Sequence, residues 1–163
     1  MPQPSETLPT SGAGFGSRDF VKTQSSLRAR VPERLLHADV EGRQSGASSR
    51  DATFDLERKH PVHVVDLPSQ TISMTLGGLE PGQRTNRHRH NYETIIYVLE
   101  GEGESVIEDR VVQWKAGDAF YVPVWAWHHH RNLNPDRGAR YVACENAPLL
   151  QNLGRLDLRE EEP

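Results

Sequence analysis

The chain has a single cysteine, Cys144, in 163 residues, so no disulfide can form within it and a small disulfide-stapled fold is excluded. Positive charge is not in excess: 19 Lys and Arg stand against 23 Asp and Glu, for a formal net charge of −4. No nucleic-acid partner is therefore expected. Long apolar runs are missing as well. The longest near the centre, Ile95 to Leu99, falls far short of the about 20 residues that cross a bilayer, so no membrane association is expected. The opening MPQPSETLPTSGAGFG has neither the basic start nor the apolar stretch of a secretory leader. Together with the lone cysteine it makes the cytoplasm the expected location. No internal repeat is visible, and the length predicts one domain.

What is present divides into segments. Residues 1–26 are rich in Ser, Thr, Gly and Pro with few apolar anchors and read as a disordered tail. Residues 27–60 form a pre-barrel segment, in which LRARVPERLLHADV can hold a short helix starting near Pro32. EGRQSGASSRD reads as a loop. Residues 61–154 carry the β pattern, and residues 155–163 read as an acidic C-terminal tail. HPVHVVDL and TISMTLGGL are candidate strands. TIIYVLEGEGESVIEDRVVQW reads as three strands, turning at Glu100–Gly103 and at Glu108–Arg110. GDAFYVP, AWHHHRNL and ARYVACEN complete the series. Short strands separated by such turns predict an all-β fold, a small antiparallel barrel whose interior holds one small ligand.

Three histidines carry the chemistry. His88 and His90 lie in GQRTNRHRHNYETIIYVLEG, Gly82 to Gly101, and His128 lies in GDAFYVPVWAWHHHRN, Gly117 to Asn132. His-x-His on a strand puts two imidazoles on one face, because side chains alternate with period two. A third histidine from a neighbouring strand completes one face of a metal's coordination sphere, and the open opposite face describes a catalytic site rather than a structural one. The same parity turns Tyr92, Thr94, Ile96 and Val98 inward and Glu93 outward, unless a bulge re-aims Glu93 as a fourth ligand. His130 faces inward and His129 outward.

These two stretches resemble the paired motifs of the cupin superfamily. Gly82, His88, His90 and Gly101 fit the first motif, and Gly117, Pro123, His128 and Asn132 fit the second. The resemblance implies a jelly-roll barrel, a metal held by His88, His90 and His128, and a homodimer. Two departures stand out. The motif glutamate position holds Thr94, and Trp125 stands where the second motif has glycine. Within the superfamily the chain is most similar to gentisate 1,2-dioxygenase and related ring-cleaving enzymes of salicylate-type acids. HRH at His88–His90, VLEGEG at Val98–Gly103, PVWAWHHHRN at Pro123–Asn132 and APLLQNLG at Ala147–Gly154 carry that similarity. Those enzymes are generally longer and carry two cupin domains.

Three histidines without a carboxylate leave a divalent ion its whole charge, which favours an anionic chelating substrate. The leading expectation is a mononuclear non-haem Fe(II) dioxygenase that takes dioxygen and cleaves a C–C bond of a small hydroxylated aromatic acid. His130 or Tyr92 would move protons, and Thr94 and Trp125 would line the substrate pocket. Arg84 or Arg140 would pair with the substrate acid. Non-redox isomerase or lyase chemistry with Zn(II), Mn(II) or Ni(II), and a non-catalytic ligand-binding barrel, stand as alternatives. Arg89 and Trp127 alternate away from the ligand face. Trp114 reads as core, and His37, His60 and His63 as surface.

Overall fold

A computed structural model describes residues 29–41, 62–154 and 159–162. The expected tail at 1–26, most of the segment 27–60 and His60 lie outside the described residues. The chain divides into compact units Met1–Val31 and Pro32–Pro163, and every described element belongs to the second.

The elements are β1 (Val62–Val64), β2 (Ser73–Leu79), β3 (His88–His90), β4 (Thr94–Glu100), β5 (Glu102–Ile107), β6 (Arg110–Lys115), β7 (Ala119–Val122), β8 (His128–Asn132), β9 (Ala139–Glu145), α1 (Ala147–Asn152) and β10 (Arg159–Glu161). They form two five-stranded sheets, ordered β1-β2-β9-β4-β7 and β10-β3-β8-β5-β6, with every strand pair antiparallel. The all-β expectation therefore holds.

Side-chain alternation builds the space between the sheets. On β4, Thr94, Ile96 and Val98 are buried while Ile95, Tyr97 and Leu99 are exposed. On β8, His128, His130 and Asn132 are buried while Arg131 faces solvent. Ile96, Val98, Ile107, Trp114, Val122 and Tyr141 belong to one apolar core contributed by both sheets. Asn132, the motif asparagine, clamps the loops beneath this core. Its Nδ2 reaches the carbonyls of Leu79, Glu80 and Arg137, and its Oδ1 accepts the Asn134 N–H. At the β5–β6 turn Glu108 adopts φ 51°, the left-handed backbone that two-residue hairpin loops require. Its carboxylate accepts the Trp127 N–H at 2.8 Å, which ties this turn to the start of the strand carrying His128.

Two expectations are corrected. No helix starts at Pro32: residues 29–41 are irregular, with Leu35 and Leu36 exposed. A short helix needs a packed apolar face to persist. Here the segment is held instead by Arg34, bidentate to Asp66, and by His37 Nδ1, which accepts the Asp66 N–H. At the other end, residues 159–161 of the acidic tail form an edge strand of the sheet. Arg159, Glu160 and Glu161 pair with His90, Arg89 and His88. Charge attraction supports that docking, because Arg89 pairs with Glu160 at 2.7 Å and Arg87 pairs with Glu162.

Candidate metal centre

β3 and β8 lie side by side, with His88 directly opposite His128. The ring centroids of His88 and His128 are 4.1 Å apart, those of His90 and His128 4.8 Å, and those of His88 and His90 5.9 Å. All three residues are buried, and one ligand atom from each lies within 4.8 Å of the others. Backbone carbonyls orient every ring. His88 Nδ1 lies 2.9 Å from the Asn86 carbonyl, His90 Nδ1 2.8 Å from that of Tyr92, and His128 Nδ1 2.8 Å from that of Ala126. A carbonyl only accepts, so each Nδ1 carries the hydrogen and each Nε2 keeps its lone pair for a metal. Burial holds the His88 and His128 imidazoles neutral. It pushes His128 down to about 4, and it pushes His88 lower still, with the neighbouring His128 adding to the effect.

This has a consequence for apoprotein stability. Both folded-state pKa values lie below the unfolded value of 6.5. Below pH 6.5 the unfolded chain takes up protons that these two folded residues refuse, so stability rises with pH there and is lost as pH falls from 6.5 toward 4. Each histidine contributes a slope approaching about 1.4 kcal/mol per pH unit. Urea titrations of metal-free protein at pH 7.5, 6 and 5 are expected to show that fall, and a saturating divalent ion is expected to raise stability at each pH without removing the fall. A flat profile between pH 7 and 5 would contradict the neutral, buried assignment.

Around the three histidines the pocket is lined by Thr75, Thr85, Thr94, His130, Glu145 and Arg159, with Ile96, Val122 and Tyr141 as apolar walls. Its water-accessible volume is about 30 Å³. As the side chains stand, it holds an ion and a few water-sized molecules, and an aromatic ring requires the mouth side chains to shift. Thr94, at the motif glutamate position, is 3% exposed and its Oγ1 has no hydrogen-bond partner. A buried hydroxyl left unpaired at the edge of a cavity is a place for a ligand or water. Converging neutral nitrogens and this orphaned hydroxyl fit a metal with further small ligands.

His130 stands apart from the three-histidine set. Ser105 Oγ lies 2.7 Å from His130 Nδ1 and accepts the Trp114 Nε1–H at 2.9 Å. Ser105 is wholly buried. The assignment that leaves no hydroxyl hydrogen unpaired has Ser105 donating to His130 Nδ1, which puts the imidazole hydrogen on Nε2. His130 is then a hydrogen-bond donor lining the pocket. Thr85 Oγ1 accepts its backbone N–H at 3.0 Å.

Other expected site residues lie elsewhere. Tyr92 is buried but does not line the pocket. Its ring stacks on His90 at 4.0 Å between centroids. Trp125 is not in the pocket lining either. It sits in a turn at φ 63°, where strand parity no longer applies, and its ring packs under Arg89 at 4.5 Å. Arg140 points away from the pocket and pairs with Glu100 at 2.8 Å and with Glu41. Arg84 is exposed and outside the pocket lining. Glu93 faces outward, accepting the Tyr121 hydroxyl at 2.7 Å, and that bond pushes the Tyr121 phenol up to about 12. The pocket's charged side chains, Glu145 and Arg159, were missed. Glu145 sits directly opposite Thr94, and continuing the β9 alternation past Ala143 would have found it. Nothing in an REE tripeptide marks Arg159.

Comparison with known proteins agrees with this architecture: residues 75–143 match the cupin domain family. The matched residues include β3 to β8 and all three histidines of the cluster. It is 36% identical over 84 residues to a 5-aminosalicylate 1,2-dioxygenase of Comamonas sp., an alignment covering 52% of this chain and 22% of that protein. It is 25% identical over 166 residues to a 1-hydroxy-2-naphthoate 1,2-dioxygenase of Nocardioides sp. (strain KP7), covering 95% of this chain and 41% of that one. The chain thus spans well under half the length of these relatives. Among solved structures, a salicylate 1,2-dioxygenase from Pseudaminobacter salicylatoxidans superposes with a TM-score of 0.60 at 23% identity, over 70% of this chain and 36% of that one. A cupin-2 domain protein from Rhodospirillum rubrum gives 0.55 at 19% identity, over 65% of this chain and 67% of that one. These superpositions speak to the fold alone.

Proposed function

We propose that this chain is a mononuclear non-haem Fe(II) dioxygenase acting on a small, chelating, hydroxylated aromatic acid. The observation that carries the reading is the donor set: three buried imidazoles converge, each held at Nδ1 by a backbone carbonyl, and among the described residues no carboxylate belongs to that cluster, Glu145 lining the pocket outside it. The relatives named as salicylate- and naphthoate-type dioxygenases support it.

His88, His90 and His128 would hold the ion through Nε2. Bound there, Fe(II) supplies the redox chemistry with dioxygen that ring cleavage needs. The protein side chains do the rest. Because the ligands are all neutral, an acid with an adjacent hydroxyl is the partner that balances the ion's charge. His130 Nε2–H donates to an oxygen of the bound molecule, with Ser105 and Trp114 holding the ring at the required angle. Ile96, Val122 and Tyr141 keep bulk water from the site.

Protein purified without chelator and loaded anaerobically with Fe(II) is expected to consume oxygen in an electrode only when gentisate, salicylate or a catechol-type compound is added. Stoichiometric zinc, nickel or manganese in the isolated protein, with no uptake after iron loading, would overturn the dioxygenase reading and favour isomerase or lyase chemistry.

A further inference from the structure

We propose that Arg159, carried to the pocket by the C-terminal strand β10, receives the anionic group of the ligand and so sets a preference for acids over their neutral analogues. The inference rests on the function proposed above, and it names the residue that reads the acid. β10 lies outside residues 75–143, the part of the chain that matches the cupin family.

Position comes first. Arg159 pairs directly with His90, and Glu161 with His88. Residues directly opposite in an antiparallel pair project to the same face, so both side chains share the face of the two metal-ligand histidines. Arg159 lines the pocket, and it is the one cationic residue among the described residues that do. Its charge reaches His88 and His128, adding to the depression of both.

Orientation comes second. Glu161 Oε1 accepts from Arg159 Nη2 at 2.8 Å and Nε at 3.3 Å, while Glu161 Oε2 accepts from Asn86 Nδ2 at 3.2 Å. One edge of the guanidinium is thereby fixed by a carboxylate that is itself fixed. A guanidinium has five N–H donors in a rigid fork, so the edge bearing Nη1 is left for a second, incoming carboxylate, held bidentately. Pairing with Glu161 offsets part of the charge but leaves that geometry in place.

Polarity comes third. On the neighbouring sheet, the pocket presents Glu145 and the unpaired Thr94 hydroxyl, directly opposite one another on β9 and β4. Arg159 pairs with Glu161, on its own strand. The pocket is therefore polarised, with a cation on the β10 side and a carboxylate with a hydroxyl on the β4–β9 side. An acid enters with its anionic group toward Arg159. Repulsion from Glu145 disfavours the reversed pose.

The test uses full-length protein loaded with Zn(II), so that binding is read by calorimetry without turnover, with salicylate and its neutral analogue salicylamide as probes. Wild type is expected to bind salicylate more tightly. Arg159→Gln is expected to weaken salicylate about tenfold or more, change salicylamide little, and keep its zinc. Arg159→Lys, which retains charge without the fork, is expected to fall between. Glu160→Gln loosens β10 from its outer side by removing the Arg89 pair, and the preference for the acid is expected to survive it. Undiminished salicylate binding in Arg159→Gln, or equal loss of both probes, would overturn the assignment and leave the dioxygenase reading standing. Failure of wild type to bind either probe, with no oxygen uptake by the iron form, would overturn both together.

Discussion

Alanine in place of His128 is expected to remove the metal. Wild-type protein should carry about one divalent ion per chain, as a three-imidazole site predicts, and His128→Ala a small fraction of that after desalting. His128 is the hub of the cluster: its ring centroid is 4.1 Å from that of His88 and 4.8 Å from that of His90, which are 5.9 Å from each other. The two remaining ligands both come from β3 and are set apart by Arg89. Removing a group that merely orients a metal ligand costs about 10- to 100-fold in affinity, so deleting a ligand should cost more than a hundredfold. Oxygen uptake should disappear with the metal. The fold should survive, because His128 is held by one carbonyl hydrogen bond, from Ala126, and its loss costs about 1–3 kcal/mol. His129→Ala is the control. That residue lies next in sequence on the other face of β8, and its metal content should match wild type. Mass-spectrometric metal analysis of the two variants decides the matter; near-stoichiometric metal in His128→Ala would remove the ligand assignment altogether.

The second large effect is on stability. Gly103→Ala is expected to destabilise the fold by about 3 kcal/mol or more, the upper end for overpacking a tight site, lowering Tm by about 10 °C. A Cβ at this position would lie 2.2 Å from the Arg131 carbonyl oxygen and 2.3 Å from the Trp114 ring. The carbonyl belongs to the adjacent strand β8 and cannot step aside without breaking the β5–β8 ladder. Trp114 cannot tilt without losing its bond to Ser105, which positions His130. The substitution therefore strains the fold and the site together. Gly117→Ala supplies the contrast. Nothing lies within 4 Å of its missing Cβ, and only φ 92° opposes a side chain, a cost of about 1–2 kcal/mol. Urea denaturation followed by tryptophan fluorescence should separate the two variants clearly; equal midpoints would mean that the close packing over Gly103 is not what stabilises this region.

Much of the candidate site was legible in the chain. His88 and His90 declared themselves by their spacing, and the alternation from Thr94 to Val98 oriented β4 correctly. Glu93 was placed outward by parity alone, and its hydroxyl partner Tyr121 is found on that outer face. These are consequences of a period of two, which one strand imposes without outside help. Parity has no reach where the strand ends. Trp125 occupies a left-handed turn, and its ring went to Arg89 rather than to the pocket. Arginines were the least legible. A long flexible cation near a motif in sequence says little about where its head lies: Arg84 is exposed, and Arg140 is half-buried and paired with Glu100 and Glu41.

By itself the sequence determined the fold class, the three metal-binding candidates and the inward face of β4, because strand periodicity and turn residues act over a few positions. Only the tertiary structure decided which groups surround the ligand. Ser105 reaches His130 across 25 residues and from a different strand. Arg159 enters the pocket because Arg87 and Arg89 attract an acidic tripeptide some 70 positions away, and the ion pair Arg89–Glu160 alone spans 71. No local pattern encodes such pairings. They form because folding brings complementary charges and hydrogen-bonding groups to the same low-dielectric place, where leaving them unpaired is costly.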